Sequence, residues 1–157
     1  MNKENLNELL NSKTEDNATE IIFEIFDAVA ALIENDDLKE LSEPQKNIYL
    51  NQLLEAEVLN GGFSQYFYNP GGLYAYETVN SLKAIGAEKT ANLLQKAINK
   101  FPKSYIPKDG FELGDIIEEM EDKNDEIWDE FDDKFYDYED NLNELNLNYI
   151  RENIDRW

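Results

Sequence analysis

Residues 111–140 read FELGDIIEEMEDKNDEIWDEFDDKFYDYED and hold 15 acidic side chains against two lysines, a net charge of −13 within a formal −21 for all 157 residues. Carboxylates at this density can ligate a cation, work as an acid and base pair, face a cationic partner, or keep a surface hydrated. The calcium option fits poorly. A loop begun at Asp122 has Asn124 and Glu126 in ligand places, but Ile127 stands where the sharp turn needs glycine. Glycoside-type chemistry needs two acids that flank a cleft with separated pKa values, and nothing in the run singles out two among many. The chain has no histidine and no cysteine, which removes imidazole triads, thiolate nucleophiles, disulfides and the usual zinc ligand sets. No catalytic residue, metal ligand or cofactor is expected, and the chain reads as a non-enzyme.

Apolar residues in the same run keep helical phase. Met120, Ile127, Trp128, Phe131, Phe135 and Tyr138, then Leu142, Leu145 and Tyr149, recur at steps built from three and four. The spacing predicts an amphipathic helical segment, with breaks near Lys123–Asn124 and Asp140–Asn141. Its candidate acidic face comprises Asp122, Asp125, Glu126, Asp129, Glu130, Asp132, Asp133, Asp137 and Asp140. Asp125, Asp129, Asp133 and Asp137 stand four residues apart, where each like-charged pair costs a helix about 0.2–0.5 kcal/mol. Something other than helix stability must favour the pattern; solubility, a cation and a cationic partner all stay open. As one helix, thirty residues would span about 45 Å and carry one net charge per about 3.5 Å, close to the roughly 3.4 Å between phosphates along one DNA strand.

A second group of residues raises a different chemistry. Residues 58–72 read VLNGGFSQYFYNPGG, two glycine pairs around a cluster of aromatics. A phosphate loop needs a strand before it, a helix after it and usually a lysine to meet the phosphate. Here the glycines follow a helical pattern, and no lysine occurs between Lys46 and Lys83. Phe63, Tyr66 and Phe67 fall at i, i+3 and i+4, so they share one side of a helical turn. We read them as core at a helix-to-helix corner. An aromatic pocket for a small ligand, oriented by Gln65 and Asn69, stays open beside that reading.

The elements that must position these residues are helical throughout. Residues 1–17 read as a polar leader. Asn17 with Glu20, and Ser42 with Gln45, have the spacing of reciprocal helix caps. After Asn17, Ile21, Ile22, Ile25, Phe26, Val29, Leu32 and Ile33 predict one buried helical face. A second helix is expected from Ser42 to about Leu59, stopped by Asn60, Gly61 and Gly62. Further helices are expected over 73–85 and 87–101, with a turn at Asn69–Gly72 and a loop over 102–110. No period-two alternation appears. The expected fold is all-α, a single compact domain of about six to eight helices over 18–157 with the acidic segment near its C-terminus.

Composition agrees with a folded chain. Hydrophobic residues make up 41% and aromatics 12%, more than a disordered acidic chain of this charge would carry. A pI near 4.1 disfavours generic binding to nucleic acid or anionic membrane and favours a basic partner. No signal-like or membrane-spanning apolar run is present, so a cytoplasmic location is expected.

Leu41-Ser42 with Gln45, Leu54-Glu55, NGGFSQYFYN with Gly72, Ala84 to Ala87 and Phe101-Pro102 together resemble the DUF4375 family, whose best-known type is a DNA-mimic protein of the DMP19 kind. The motif resemblance covers roughly residues 41–102; beyond it the tail agrees in being acidic and aromatic. It implies a helical, dimeric, non-catalytic protein whose acidic surface occupies the DNA-binding face of a transcriptional repressor. It carries over Asn60, Gly61, Gly62, Phe63, Gln65, Tyr66, Phe67, Asn69 and Gly72 as scaffold positions, and assigns no role to any single acid. The same electrostatics would serve an immunity-type inhibitor of a basic nuclease toxin.

Overall fold

A computed structural model describes residues 1–34 and 37–157. Its described residues form eight α-helices, α1 (Lys3–Asn11), α2 (Ala18–Ala30), α3 (Glu43–Tyr68), α4 (Ala75–Ala84), α5 (Glu88–Ile98), α6 (Gly110–Lys123), α7 (Asp129–Tyr136) and α8 (Leu142–Glu152), with short 3-10 turns between several of them and no sheet. The all-α expectation holds. Among these residues no helix is long and apolar enough to cross a membrane.

Two cores meet along α3. The larger gathers Leu54, Val58, Phe63, Tyr66 and Phe67 of α3 against α4, α5, α6 and α7, and the smaller packs α1, α2, the start of α3 and α8 around Ile22, Ile25, Ile48 and Ile150. Residues 1–17, expected as a polar leader, carry α1. Asn2 caps this helix by accepting from the Asn5 amide, and Leu6 and Leu10, one turn apart, are buried against α2. Two apolar residues in a polar stretch are enough to hold a helix when a groove is ready for them. Arg151 of α8 donates to the Leu10 carbonyl at 3.0 Å and ties the segment down from the other end of the chain.

The two expected caps came out differently. Ser42 and Gln45 form the reciprocal capping box at the start of α3. Asn17 does not cap α2. Its backbone is not extended, and its side chain turns back to accept from the Thr14 amide and donate to the Ser12 carbonyl, closing the α1–α2 turn instead.

The corner at Asn60–Gly62 breaks α3 rather than ending it. Gly62 sits at φ +73°, ψ −174°, a region essentially reserved for glycine, and the helix resumes at Phe63 in a new direction. A resumed helix has unpaired N–H groups in its first turn. The Phe63 amide donates to Asp132 of α7 at 2.7 Å, and a methyl group at Gly62 would lie 2.4 Å from the other oxygen of that carboxylate. Polar residues brace the break from outside: Glu57 accepts from Gln65 (2.6 Å) and Asn69 (2.8 Å), and the side-chain amide oxygen of Gln65 accepts from Asn60 (3.0 Å). Inside, Phe63 packs edge-on to Phe131 and Phe135, while Phe67 meets Phe101 and Trp128. Gly72 closes the following turn with its Cα against the Phe67 backbone, where a methyl group would lie 2.4 Å from the Phe67 oxygen.

Two predictions follow the packing. Leu6→Ala removes a fully buried side chain and should lower unfolding free energy by about 2–5 kcal/mol in urea titration; an unchanged midpoint would mean that α1 is dispensable. Asp132→Ala should cost about 1–3 kcal/mol by leaving the Phe63 amide without its acceptor, whereas Asp133→Ala, exposed next to it, should stay within about 0.5 kcal/mol. Equal effects of the two would remove the anchoring role of Asp132.

Candidate partner-binding surface

The acidic segment is built from three pieces. Helix α6 ends at Lys123, a turn over 124–128 follows, α7 runs to Tyr136, and α8 starts at Leu142 after a second turn. Both expected breaks are present. The 45 Å rod of evenly spaced charge is therefore not realised: α6 and α7 measure about 21 and 12 Å at the usual rise per residue and are separated by a turn. Asp125 lies in that turn and Asp137 caps the end of α7, so the four aspartates at i, i+4 spacing do not form one helical stripe.

Apolar residues hold the segment down. Leu113, Ile117 and Met120 of α6 and Trp128, Phe131 and Phe135 face the larger core, with Ile127 partly buried beside them. Tyr138, expected on the apolar face, is instead 39% exposed at its rim. The Tyr136 hydroxyl donates to the Val58 carbonyl in the turn of α3 before the break.

The nine acids of the candidate face divide into two groups. Asp132 is half-buried at the α3 break, and burial, the largest influence, pushes its pKa up; the Phe63 amide pulls the other way, and Asp129 and Asp133 add like charge. Asp140 is also half-buried, accepting from the Thr90 amide (2.7 Å) and hydroxyl (2.9 Å) in the first turn of α5, a helix with no capping side chain of its own. These two carboxylates serve as helix caps supplied from distant chain. Asp122, Asp125, Glu126, Asp129, Glu130, Asp133 and Asp137 are exposed, and none lies within 4.0 Å of a lysine or arginine nitrogen among the described residues.

Some other acids of the segment are engaged. Glu121 accepts from Ser64 and from the Trp128 indole, Glu119 pairs with Lys123, and Glu139 lies 3.9 Å from Lys89. Lys123 holds the Glu119 carboxyl below its ordinary pKa through a hydrogen bond. Among the described residues no group of three or more carboxylates is placed to hold a metal ion.

The corner residues do not open a pocket. Phe63, Tyr66 and Phe67 are fully buried core, and the amide groups of Gln65 and Asn69 are turned onto Glu57. A cleft of about 450 Å³ does lie beside Asn69, walled by Tyr68, Leu73, Phe111 and Leu113, but Gln65 takes no part in it. Glu57, the hub of the polar brace, was not singled out in the sequence. Its only signal is spacing, eight residues before Gln65 and twelve before Asn69.

Neither a curated protein nor a solved structure matches the chain. A family model described as DMP19-like protein matches residues 39–153, extending the motif resemblance through the whole acidic segment and α8. With well over half of its length matched, and with the glycine corner and the acidic helices inside that span, the chain belongs to the DMP19-like family.

Proposed function

We propose that this protein is a non-catalytic DNA mimic of the DUF4375 grouping, which binds the DNA-binding face of a basic partner, such as a transcriptional repressor, through the outward carboxylates of residues 122–137. The observation that carries this reading is the division of the acids. Two are folded inward as caps, and seven stand exposed without a cation beside them. Exposed carboxylates held by a rigid aromatic underside keep their positions, which a flexible acidic tail would not. Such a surface competes with phosphates for lysine and arginine, and its binding weakens with salt over the Debye length of about 8–10 Å. Family membership supports the same reading. A homodimer would offer two such surfaces to a two-fold helix-turn-helix protein, whose recognition helices lie about 34–36 Å apart. A cytoplasmic location accompanies a partner of this kind.

The test is capture from host lysate on the immobilised chain at low salt, with elution by rising salt. A DNA-binding protein should be retained by the wild type and lost by a variant with Asp125, Asp129, Asp133 and Asp137 changed to Asn. A nuclease in its place would transfer the surface to the immunity-type role. Identical retention by both chains would reduce the charge to solvation.

A further inference from the structure

One carboxylate outside the acidic segment is buried without a cation. Glu55 of α3 is 9% exposed and accepts from Gln52 (3.0 Å) and from the Tyr138 hydroxyl (2.9 Å). No lysine or arginine nitrogen among the described residues lies within 4.0 Å of it. Burial pushes its pKa up against the two hydrogen bonds. An isolated carboxylate removed from water is costly unless a positive charge reaches it.

Glu55 is not sealed in. It lines an open cavity of about 260 Å³ with Thr19 and Phe23 of α2, Gln52 and Leu59 of α3, Tyr138, and Asn143 of α8. Phe23 and Leu59 are 47% and 51% exposed, an unusual pair of apolar side chains at the mouth of a polar-floored hole. Tyr138 donates to Glu55 from φ +45°, just past the end of α7, a region that a bulky residue enters at a cost of about 1–3 kcal/mol. Strain of this kind persists where the surroundings fix a side chain in one place.

We propose that this cavity receives one lysine or arginine side chain of a protein partner, with the cationic head on Glu55 and the methylene stem against Phe23 and Leu59. Each Glu55 oxygen already accepts one hydrogen bond and has capacity for a second, enough for a two-pronged guanidinium or for an ammonium. The apolar mouth suits the stem, and the aromatic residues Phe23 and Tyr138 line the cavity that would take the charge. The volume falls below the roughly 300–1,000 Å³ of drug-sized sites, which favours a single side chain over a whole small molecule. This pocket would anchor the basic partner proposed above at one point beside a diffuse acidic field, and it rests on that reading for the partner's identity alone.

Arginine blocked as its N-acetyl amide is the probe, titrated into the full chain with amide chemical shifts observed, and blocked citrulline is its neutral counterpart. Saturable shifts are expected around Phe23, Leu59 and Tyr138 with arginine and not with citrulline. Binding should weaken by roughly tenfold or more in Glu55→Gln, which keeps an acceptor for Tyr138 while Gln52 can turn its amide. Phe23→Ala, at an exposed position, should weaken it as well, while Asp133→Asn with Asp137→Asn should leave it intact. Glu55 and Tyr138 are the titratable groups lining the cavity, and burial pushes the tyrosine hydroxyl further above neutrality. Affinity should therefore fall as pH drops through the Glu55 titration and Glu55 takes up its proton. Shifts that do not saturate, that spread over residues 122–137, or that persist unchanged in Glu55→Gln would overturn the proposal. A spermidine titration separates sources: a free polyamine binding this cavity more tightly than blocked arginine would assign the site to a small amine and overturn the protein-side-chain form. Lysate capture that fails while the blocked arginine binds would reject the mimic reading and leave the pocket standing.

Discussion

The hydrogen bond from the Phe63 amide to Asp132 joins the two features on which this protein is built. It can form only because Gly62 takes a backbone conformation closed to other residues and leaves space where a side chain would meet the carboxylate. The break redirects α3, and the redirection turns Phe63 and Phe67 toward Trp128, Phe131 and Phe135. The glycine corner thus spends its aromatic side chains on packing. It is the seat on which the acidic helices rest.

Magnitudes explain why a segment of net charge −13 folds at all. Like-charge pairs along a helix cost a few tenths of a kcal/mol each at an exposed surface. Burying a large apolar side chain contributes on the order of 1.5–3 kcal/mol, and Trp128, Phe131 and Phe135 are all nearly fully buried. The underside outweighs the repulsion of the outer face. Asp132 and Asp140 do a further job by satisfying helix N-termini elsewhere in the chain, where a carboxylate also meets the positive end of the helix dipole. What is left outside is a rigid array of charge whose geometry is set by aromatic packing.

Much of this was legible in the sequence, and the failures share a cause. Periodicity located the helices, the reciprocal box at Ser42 and Gln45 marked the start of α3, and the spacing of Phe63, Tyr66 and Phe67 marked them as core. These are signals carried within a few residues. Leu6 and Leu10 were missed because a two-residue apolar face has meaning only beside the groove of α2 and α8 that receives it. Asp132 and Asp140 could not be told from their exposed neighbours because their partners, Phe63 and Thr90, stand 69 and 50 residues away. The breaks at Lys123–Asn124 and Asp140–Asn141, by contrast, were legible, and they rule out the single charged rod that the sequence left as one of two readings.

The central claim is that the outward carboxylates take the place of DNA on a basic protein. Fluorescence anisotropy of labelled operator DNA, bound to the captured partner and titrated with this chain, tests it most directly. The account predicts that anisotropy falls to that of free DNA as the chain is added at constant salt. Anisotropy that stays level or climbs, as the chain joins the partner without displacing its DNA, would contradict it.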